Sequence, residues 1–325
     1  MKLIYRTAAV ALSLLLLLGG VWAAPETVIP GGNTIGLELK TDGVTIVEFS
    51  DPAPEKAGLR RGDLLQKIDG KPVTSTQDIV TLVERSAGRV LRLTVQREGK
   101  EKTVRLAAKR DGGVWRLGIL VRDGITGIGT VTYYDTESGT FGALGHGVNY
   151  GSSGDLLPMR EGTVLASQVS SVTRGEKGAA GELRGAIRRG GACGEISKNT
   201  NCGIFGTMPA ADGAAVPIAS PAQAHTGAAT ILSNVEGTEV GEYRVRIIAV
   251  QPHDARGRNL LLEVTDPTLL EKTGGIVQGM SGSPIMQDGR LIGAVTHVLI
   301  DDPTRGYGIF IETMLAAAEQ DSSAA

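Results

Sequence analysis

The sequence predicts a mainly β protein made of two successive domains behind a short apolar leader. Of its 325 residues, 46 are glycine, about twice the usual share of roughly 7%, and they show no collagen-like period. Hydrophobic residues make up 41% of the chain, which is enough to form a core. The apolar runs are short and β-branched, and Gly, Pro or Asp turns separate them, as is typical of strands.

The charge balance excludes a nucleic-acid-binding surface. Lys and Arg number 33 and Asp and Glu 35, so the net charge is −2, and there are no basic blocks. Because nucleic-acid binding needs a basic patch, we expect no nucleic-acid partner. No cluster of metal ligands is visible, and we expect neither a metal nor a cofactor.

Residues 1–24 predict export across a membrane. Lys2 and Arg6 precede an apolar run at 8–18, and residues 21–23 place small side chains at a cleavage site. If this signal peptide is not cleaved, its apolar length of about 17 residues is at the lower limit for a membrane anchor. We therefore expect an exported protein that is either secreted or membrane-associated through its N-terminus. An oxidising compartment also favours a disulfide between Cys193 and Cys202.

Residues 31–108 contain a compact pattern of strands and one helix. An alternating strand over 35–40 turns at Asp-Gly into a second strand, and Ser75 opens a capping box that predicts a helix over 76–87. Between them, residues 52–73 carry AGLRRGDLL and IDG. The Gly and Asp-Gly turns in this stretch predict tight connections between short strands.

This segment resembles a PDZ domain over its whole length. The resemblance implies a groove between the strand near Ile35 and the helix, where a peptide adds as a further strand. The N–H groups of Ile35, Gly36 and Leu37 would bind its C-terminal carboxylate. A docking module whose groove never holds a free peptide is the alternative.

Residues 114–317 predict an all-β barrel or sandwich that ends in a short helix over 309–318. Within it, residues 279–284 read GMSGSP. A serine is a good nucleophile only beside a base and oxyanion-stabilising donors. The hexapeptide matches the G-x-S-G-[GS]-P motif of chymotrypsin-like proteases. By that match Ser281 is the nucleophile, and the N–H groups of Gly279 and Ser281 form the oxyanion hole.

Four histidines compete for the role of general base. His146 lies at a predicted strand end between two glycines, which leaves its ring free to approach another strand. His225 and His253 lie in loops that look solvated. In chymotrypsin-like folds the strand after the nucleophile lines the specificity pocket, so Thr296 and His297 are predicted to contact substrate.

The acid that orients the base is less well specified. Asp266 ends an apolar strand 15 residues before the serine, and Pro267 stops that strand. A plain turn residue is the alternative interpretation of Asp266. On spacing alone, Asp254 and Asp155 are rivals.

Residues 261–298 contain the GMSGSP and GAVTHV blocks, ALGHGV lies upstream, and the PDZ-like segment comes first. Together they resemble the sporulation stage IV protein B peptidases, serine peptidases of endospore-forming bacteria, over nearly the whole chain. The resemblance implies a triad of His146, Asp266 and Ser281. It also implies PDZ-controlled activity and self-cleavage near the N-terminus.

The same resemblance implies a role in signalling between compartments during sporulation. The peptidase would leave the forespore and act in the space between its membranes, where it cleaves a membrane-bound regulator of an intramembrane metalloprotease. That protease then matures a late sigma factor. The alternatives are a secreted PDZ adaptor without peptidase activity and a general envelope quality-control protease.

One departure concerns the wider protease group. High-temperature-requirement proteases carry their PDZ domains after the protease, and their acid lies well before the serine. A strict two-barrel fold is therefore an inference from the GMSGSP match.

Overall fold

The computed structural model describes residues 25–149, 154, 156–254 and 256–320. The predicted export segment and Asp155 lie outside these residues. No helix in the described ranges has the length and apolar character needed to span a bilayer.

The described residues form twenty strands and four α-helices. The helices are α1 (Ala53–Lys56), α2 (Thr76–Ser86), α3 (Pro267–Thr273) and α4 (Ile311–Glu319). The strands are β1 (Thr27–Pro30), β2 (Thr34–Phe49), β3 (Leu64–Ile68), β4 (Lys71–Pro72), β5 (Val90–Arg97), β6 (Lys100–Ala107), β7 (Lys109–Asp111), β8 (Val114–Arg116), β9 (Ile119–Asp135), β10 (Thr140–Ala143), β11 (Met159–Thr173), β12 (Glu182–Thr200), β13 (Gly203–Thr207), β14 (Val216–Pro217), β15 (Gly227–Glu236), β16 (Glu239–Val250), β17 (Leu260–Val264), β18 (Pro284–Gln287), β19 (Arg290–Leu299) and β20 (Asp302–Phe310).

Two antiparallel barrels of six strands each form the bulk of the molecule. In the first, the ladders run β2–β9–β10–β13–β12–β11 and return to β2, so the ring is closed. The second is the closed barrel β15–β16–β17–β20–β19–β18. Each barrel encloses its own apolar core. The mainly β prediction is confirmed, and the two rings are the architecture that the GMSGSP match implied.

A third unit is inserted between two neighbouring strands of the first barrel. The first part of β2, over 34–40, pairs with residues 124–130 of β9 inside the barrel. After a break in register, residues 45–49 of β2 pair with 119–122 of β9 beside β3, β5 and β6. This inserted unit has a separate core, with buried members from Val44 to Leu117.

The inserted unit shifts the domain boundaries expected from sequence. The two expected domains, at 31–108 and 114–317, follow one another, whereas in the structure residues 34–40 already belong to the first barrel. The physical reason is that β2 and β9 are continuous strands of 16 and 17 residues, so each crosses from one core to the other.

The strand positions proposed for peptide binding need a correction. Ile35, Gly36 and Leu37 pair with β9 on one edge and with β11 on the other. A peptide can add only to an edge whose N–H and C=O groups are free. These three residues therefore cannot accept an added strand.

The predicted disulfide is also wrong, because both cysteines are free. Cys193 lies in β12 and packs on the core of the first barrel, whereas Cys202 lies in the turn after Thr200 and packs beside helix α4. The extended strand between them spans roughly 20 Å at about 3.3 Å per residue. A disulfide needs Cα atoms within about 7 Å.

The insertion predicts that the inserted unit can be removed without destroying the barrels. Lys40 and Gly124 are opposite partners in the β2–β9 ladder, so a two-residue Asn-Gly turn can replace residues 41–123. We expect this shortened chain to unfold cooperatively in a far-UV circular dichroism melt. A fragment that starts at residue 114 lacks β2, so β9 and β11 lose a partner, and we expect it to aggregate. If the fragment that starts at residue 114 folds and the chain shortened by the Asn-Gly turn does not, the unit at 41–123 is not an insertion in the first barrel.

Candidate active site

The GMSGSP segment forms a tight loop of the second barrel that is hydrogen-bonded to the first barrel. Within β9, the Thr130 hydroxyl donates to the Gly279 carbonyl at 2.7 Å, and the Thr130 N–H donates to the Ser281 carbonyl at 3.0 Å. The Thr132 hydroxyl donates to the Gly282 carbonyl at 2.8 Å. Both threonines are fully buried. These bonds fix the backbone on both sides of Ser281.

Gly282 is required by both conformation and space. Its φ is +98°, in the region that side chains rarely adopt. A Cβ atom there would lie 2.0 Å from the Thr130 carbonyl oxygen and 2.6 Å from the Leu144 backbone nitrogen. The glycine after Ser281 therefore lets the two barrels approach each other at the site.

His146 follows β10 in a short left-handed bend. Leu144 and Gly145 both have φ of +69°, and the Leu144 N–H donates to the Thr130 carbonyl at 3.2 Å. The His146 Nδ1 lies 2.9 Å from the Gly147 carbonyl oxygen. A carbonyl only accepts, so Nδ1 carries the proton and Nε2 has a free lone pair. Burial lowers the pKa of His146, despite an opposing contribution from this hydrogen bond.

One cavity of about 570 Å³ between the barrels brings most of the predicted site together. Its wall includes His146, Gly279, Ser281, Thr296 and His297. A larger cavity of about 650 Å³ lies elsewhere, beside α4, and contains no predicted site residue. The smaller cavity is the candidate active site because the nucleophile and base candidates both line it.

The Ser281 hydroxyl is bound to the second barrel in this conformation. Its Oγ donates to the Thr296 carbonyl at 2.8 Å, so the side chain must rotate before its proton can reach a base. Within the described part of the chain, the N–H groups of Gly279 and Ser281 have no hydrogen-bond acceptor in the protein. Free donors on both sides of Met280 agree with the predicted oxyanion hole.

Asp266 is not brought to His146. Its carboxylate caps α3 by accepting from the N–H groups of Thr268 and Leu269 at 3.0 and 3.2 Å. Arg244 lies against the other oxygen, with its Nε at 3.4 Å. Burial raises the pKa of Asp266, but donors from Leu269, Arg244 and Thr268 outweigh burial and lower it overall.

Strand register explains the separation of Asp266 from the cavity. His297 is opposite Tyr307, and Tyr307 is opposite Leu261. Asp266 lies five residues beyond Leu261, past the end of β17. Its role as the triad acid stays a prediction. The rival Asp254 is bonded to the side chain and backbone N–H of Arg256.

The structure also reveals a strand edge that sequence reasoning missed. Residues 119–122 of β9 pair with β2 on one side, and among the described residues no strand pairs with the other side. The N-terminus of α2 adjoins this segment, because the Thr76 N–H donates to the Asp123 carboxylate at 2.9 Å. The sequence LGILV at 117–121 has the same apolar-Gly-apolar start as the strand chosen at Ile35. That similarity is the sequence signal that could have identified 117–121 as the alternative peptide-binding strand.

A buried serine loop, a neutral histidine and free backbone donors, gathered between two barrels, define a serine endopeptidase. The SpoIVB peptidase S55 family matches residues 113–315, and the PDZ domain family matches residues 52–97. The chain therefore belongs to the SpoIVB peptidase S55 family and carries a PDZ domain. The sequence-based recognition of this family and of a serine peptidase is confirmed.

Curated relatives share shorter segments with this chain. A putative zinc metalloprotease, LL2128 of Lactococcus lactis, is 33% identical over 116 residues, which is 34% of this chain and 27% of that protein. The regulator of sigma-E protease RseP of Salmonella typhimurium is 37% identical over 57 residues, or 18% of this chain and 13% of that protein. The chain thus spans about a quarter or less of these relatives.

Two proteases are among the solved structures to which this chain has a weak similarity. The active form of the Rv3671c protease from M. tuberculosis is 14% identical and covers 61% of this chain and 76% of its own, with a TM-score of 0.32. An HtrA-type protease with a decapeptide is 11% identical and covers 87% of this chain and 61% of its own, with a TM-score of 0.37.

Replacing Gly282 with alanine tests the packing beside Ser281, the candidate nucleophile. We expect Gly282→Ala to reduce peptidase activity at least about 100-fold, because a displaced catalytic group costs rate even at about 1 Å. The control is Gly289→Ala, which has a similar φ of +72° but no atom within 4 Å of its Cβ position. It should lose roughly 1 kcal/mol of stability through its backbone strain and keep its activity. Equal activity losses in the two variants would contradict the steric argument.

Proposed function

We propose that this protein is a signalling endopeptidase that cleaves a membrane-bound regulatory protein during endospore formation. The observation that carries the proposal is the family match over residues 113–315, which spans both candidate catalytic residues. The resemblance to the sporulation stage IV protein B peptidases supports the finer assignment. In that assignment the target restrains an intramembrane metalloprotease, and its cleavage leads to maturation of a late sigma factor.

The chemistry follows from the groups that line the cavity. The Ser281 hydroxyl turns from the Thr296 carbonyl toward His146, whose Nε2 takes the proton as Oγ attacks the peptide carbonyl carbon. The N–H groups of Gly279 and Ser281 stabilise the oxyanion. His146 then donates the proton to the leaving amine. Water, deprotonated by the same nitrogen, releases the acyl group.

Location and processing belong to the same proposal. The charged and apolar pattern of residues 1–24 supports export from the forespore into the space between its membranes. The protein is then secreted or held at the membrane by its N-terminus. Self-cleavage near the N-terminus would convert the anchored form into the released form.

The free edge of β9 supports a peptide-binding role for the PDZ domain. A peptide that adds at 119–123 would lie between β9 and α2. Val80 lies one helical turn after Thr76, on the same face of α2, and is 47% exposed. Leu120 of β9 is 50% exposed. These two apolar side chains flank the edge of β9. We propose this edge as the peptide-binding strand in place of Ile35–Leu37.

The test compares the wild-type protein with Ser281→Ala in sporulating cells of the source organism. New protein N-termini in the membrane fraction are identified by mass spectrometry. We expect a short list of wild-type-dependent cleavages, including one in a membrane protein and one near the N-terminus of this chain. A long list of unfolded envelope proteins would instead favour quality control. Cleavages that persist in Ser281→Ala would show that Ser281 is not the nucleophile.

A charge in the PDZ groove should weaken peptide binding without affecting the peptidase chemistry. Peptides selected from a phage-displayed library of random C-terminal heptapeptides serve as fluorescent probes. We expect Val80→Glu to weaken binding at least about tenfold, because a carboxylate would be desolvated against the apolar peptide. The matched control, Val90→Glu, changes a valine of β5 that is 61% exposed. If both variants bind equally well, the groove lies elsewhere.

A further inference from the structure

The catalytic histidine has no carboxylate partner among the described residues. The His146 Nδ1–H donates to the Gly147 carbonyl, so a backbone oxygen already selects the tautomer that leaves Nε2 free. A single hydrogen bond fixes one edge of an imidazole ring but leaves the ring able to tilt about that bond. A second contact is needed to hold Nε2 toward the serine.

The ring of His297 supplies that second contact. The centroids of the His146 and His297 rings lie 5.2 Å apart, with an angle of 38° between their planes. This is the range of tilted aromatic pairs, which pack at about 4.5–7 Å. We propose that His297 is a positioning residue that holds the His146 ring for proton transfer and limits the access of water to it. The proposal rests on the assignment of Ser281 as nucleophile and His146 as base.

The position of His297 on β19 links it to the nucleophile as well. The Ser281 hydroxyl donates a hydrogen bond to the carbonyl of the neighbouring residue Thr296 at 2.8 Å. The Thr296 hydroxyl donates to the Tyr307 carbonyl at 3.2 Å, and His297 is the ladder partner of Tyr307. One short segment of strand thus contacts the nucleophile through a carbonyl and the base through a ring.

Electrostatics allow two histidines to share the cavity. His297 is exposed, yet desolvation of its ring, together with the charges of His146 and Arg258, lowers its pKa to about 4. Arg258 itself lies over the Tyr307 ring, 5.0 Å from its centroid. His297 is therefore uncharged near neutral pH. No like-charge repulsion arises when His146 takes the serine proton.

The alternative role for His297 is contact with the substrate side chain. The two roles differ in what they change. A substrate contact alters KM for peptides and leaves the reactivity of the serine intact. A positioning contact alters the reactivity of the serine toward any electrophile, including one too small to fill a side-chain pocket.

The experiment measures the rate of Ser281 phosphonylation by a small fluorophosphonate with the exported chain, residues 25–325. Wild type, His297→Ala and His297→Phe are compared, with Ser281→Ala and His146→Ala as blanks. His253→Ala is the matched control, because His253 is exposed and lies outside the cavity. Circular dichroism melts check that each variant is folded.

At pH 8, where His146 is fully in its base form, we expect His297→Ala to react about 10- to 100-fold more slowly than wild type. His297→Phe restores the ring and should react within about threefold of wild type. The acid limb of the pH–rate profile also moves. Burial holds the pKa of His146 below 6.5 in wild type, and water that enters the His297→Ala cavity favours the imidazolium. The pH midpoint of the acid limb is therefore higher in His297→Ala than in wild type.

Two results would overturn the proposal. In the first, His297→Ala is phosphonylated as fast as the wild-type protein but has a raised KM for peptides, which is the signature of a substrate contact. The other is a His297→Phe rate as low as that of His297→Ala, which would show that ring packing is not the feature required. A wild-type protein that does not react at all would instead refute the assignment of Ser281 and His146.

Discussion

The backbone and hydroxyl of Thr130 are the point on which the candidate site depends. Its N–H and hydroxyl hold the serine loop, and its carbonyl accepts from Leu144 at the start of the histidine bend. One fully buried residue of the first barrel thereby anchors both the Ser281 loop and the bend that precedes His146. Leaving such a buried polar group without a partner costs about 1–3 kcal/mol. Buried hydrogen bonds therefore join the two barrels at the candidate active site.

Local patterns were sufficient to identify the fold class and the core of the site. The GMSGSP and ALGHGV segments carry their glycines at positions where the structure has left-handed backbone or close packing, such as Gly145 and Gly282. These requirements are local, so a short stretch of sequence reveals them. The peptidase family and the pairing of Ser281 with His146 in one cavity could therefore be predicted.

The features that sequence did not reveal depend on long-range pairing. Two segments, at 35–40 and 117–121, begin alike, and only the pairing of β2 with β9 and β11 decides which one keeps an open edge. The distance between Cys193 and Cys202 depends likewise on β12 continuing unbroken to Thr200. Asp266 follows the end of β17, but Thr268 and Leu269 offer unpaired N–H groups at a helix start, and these bind its carboxylate.

The two strands shared by the PDZ domain and the first barrel have a mechanical consequence. A domain on a flexible linker can reorient freely. The PDZ domain is instead connected to the first barrel by two paired strands, whose hydrogen bonds must break before the domain can reorient. The shared ladder, as described, is irregular at two places, between Lys40 and Thr45 and between Ile46 and Glu48. The open edge at 119–122 and Thr130 both lie on β9. One continuous strand therefore runs from that edge to the residue that holds the Ser281 loop.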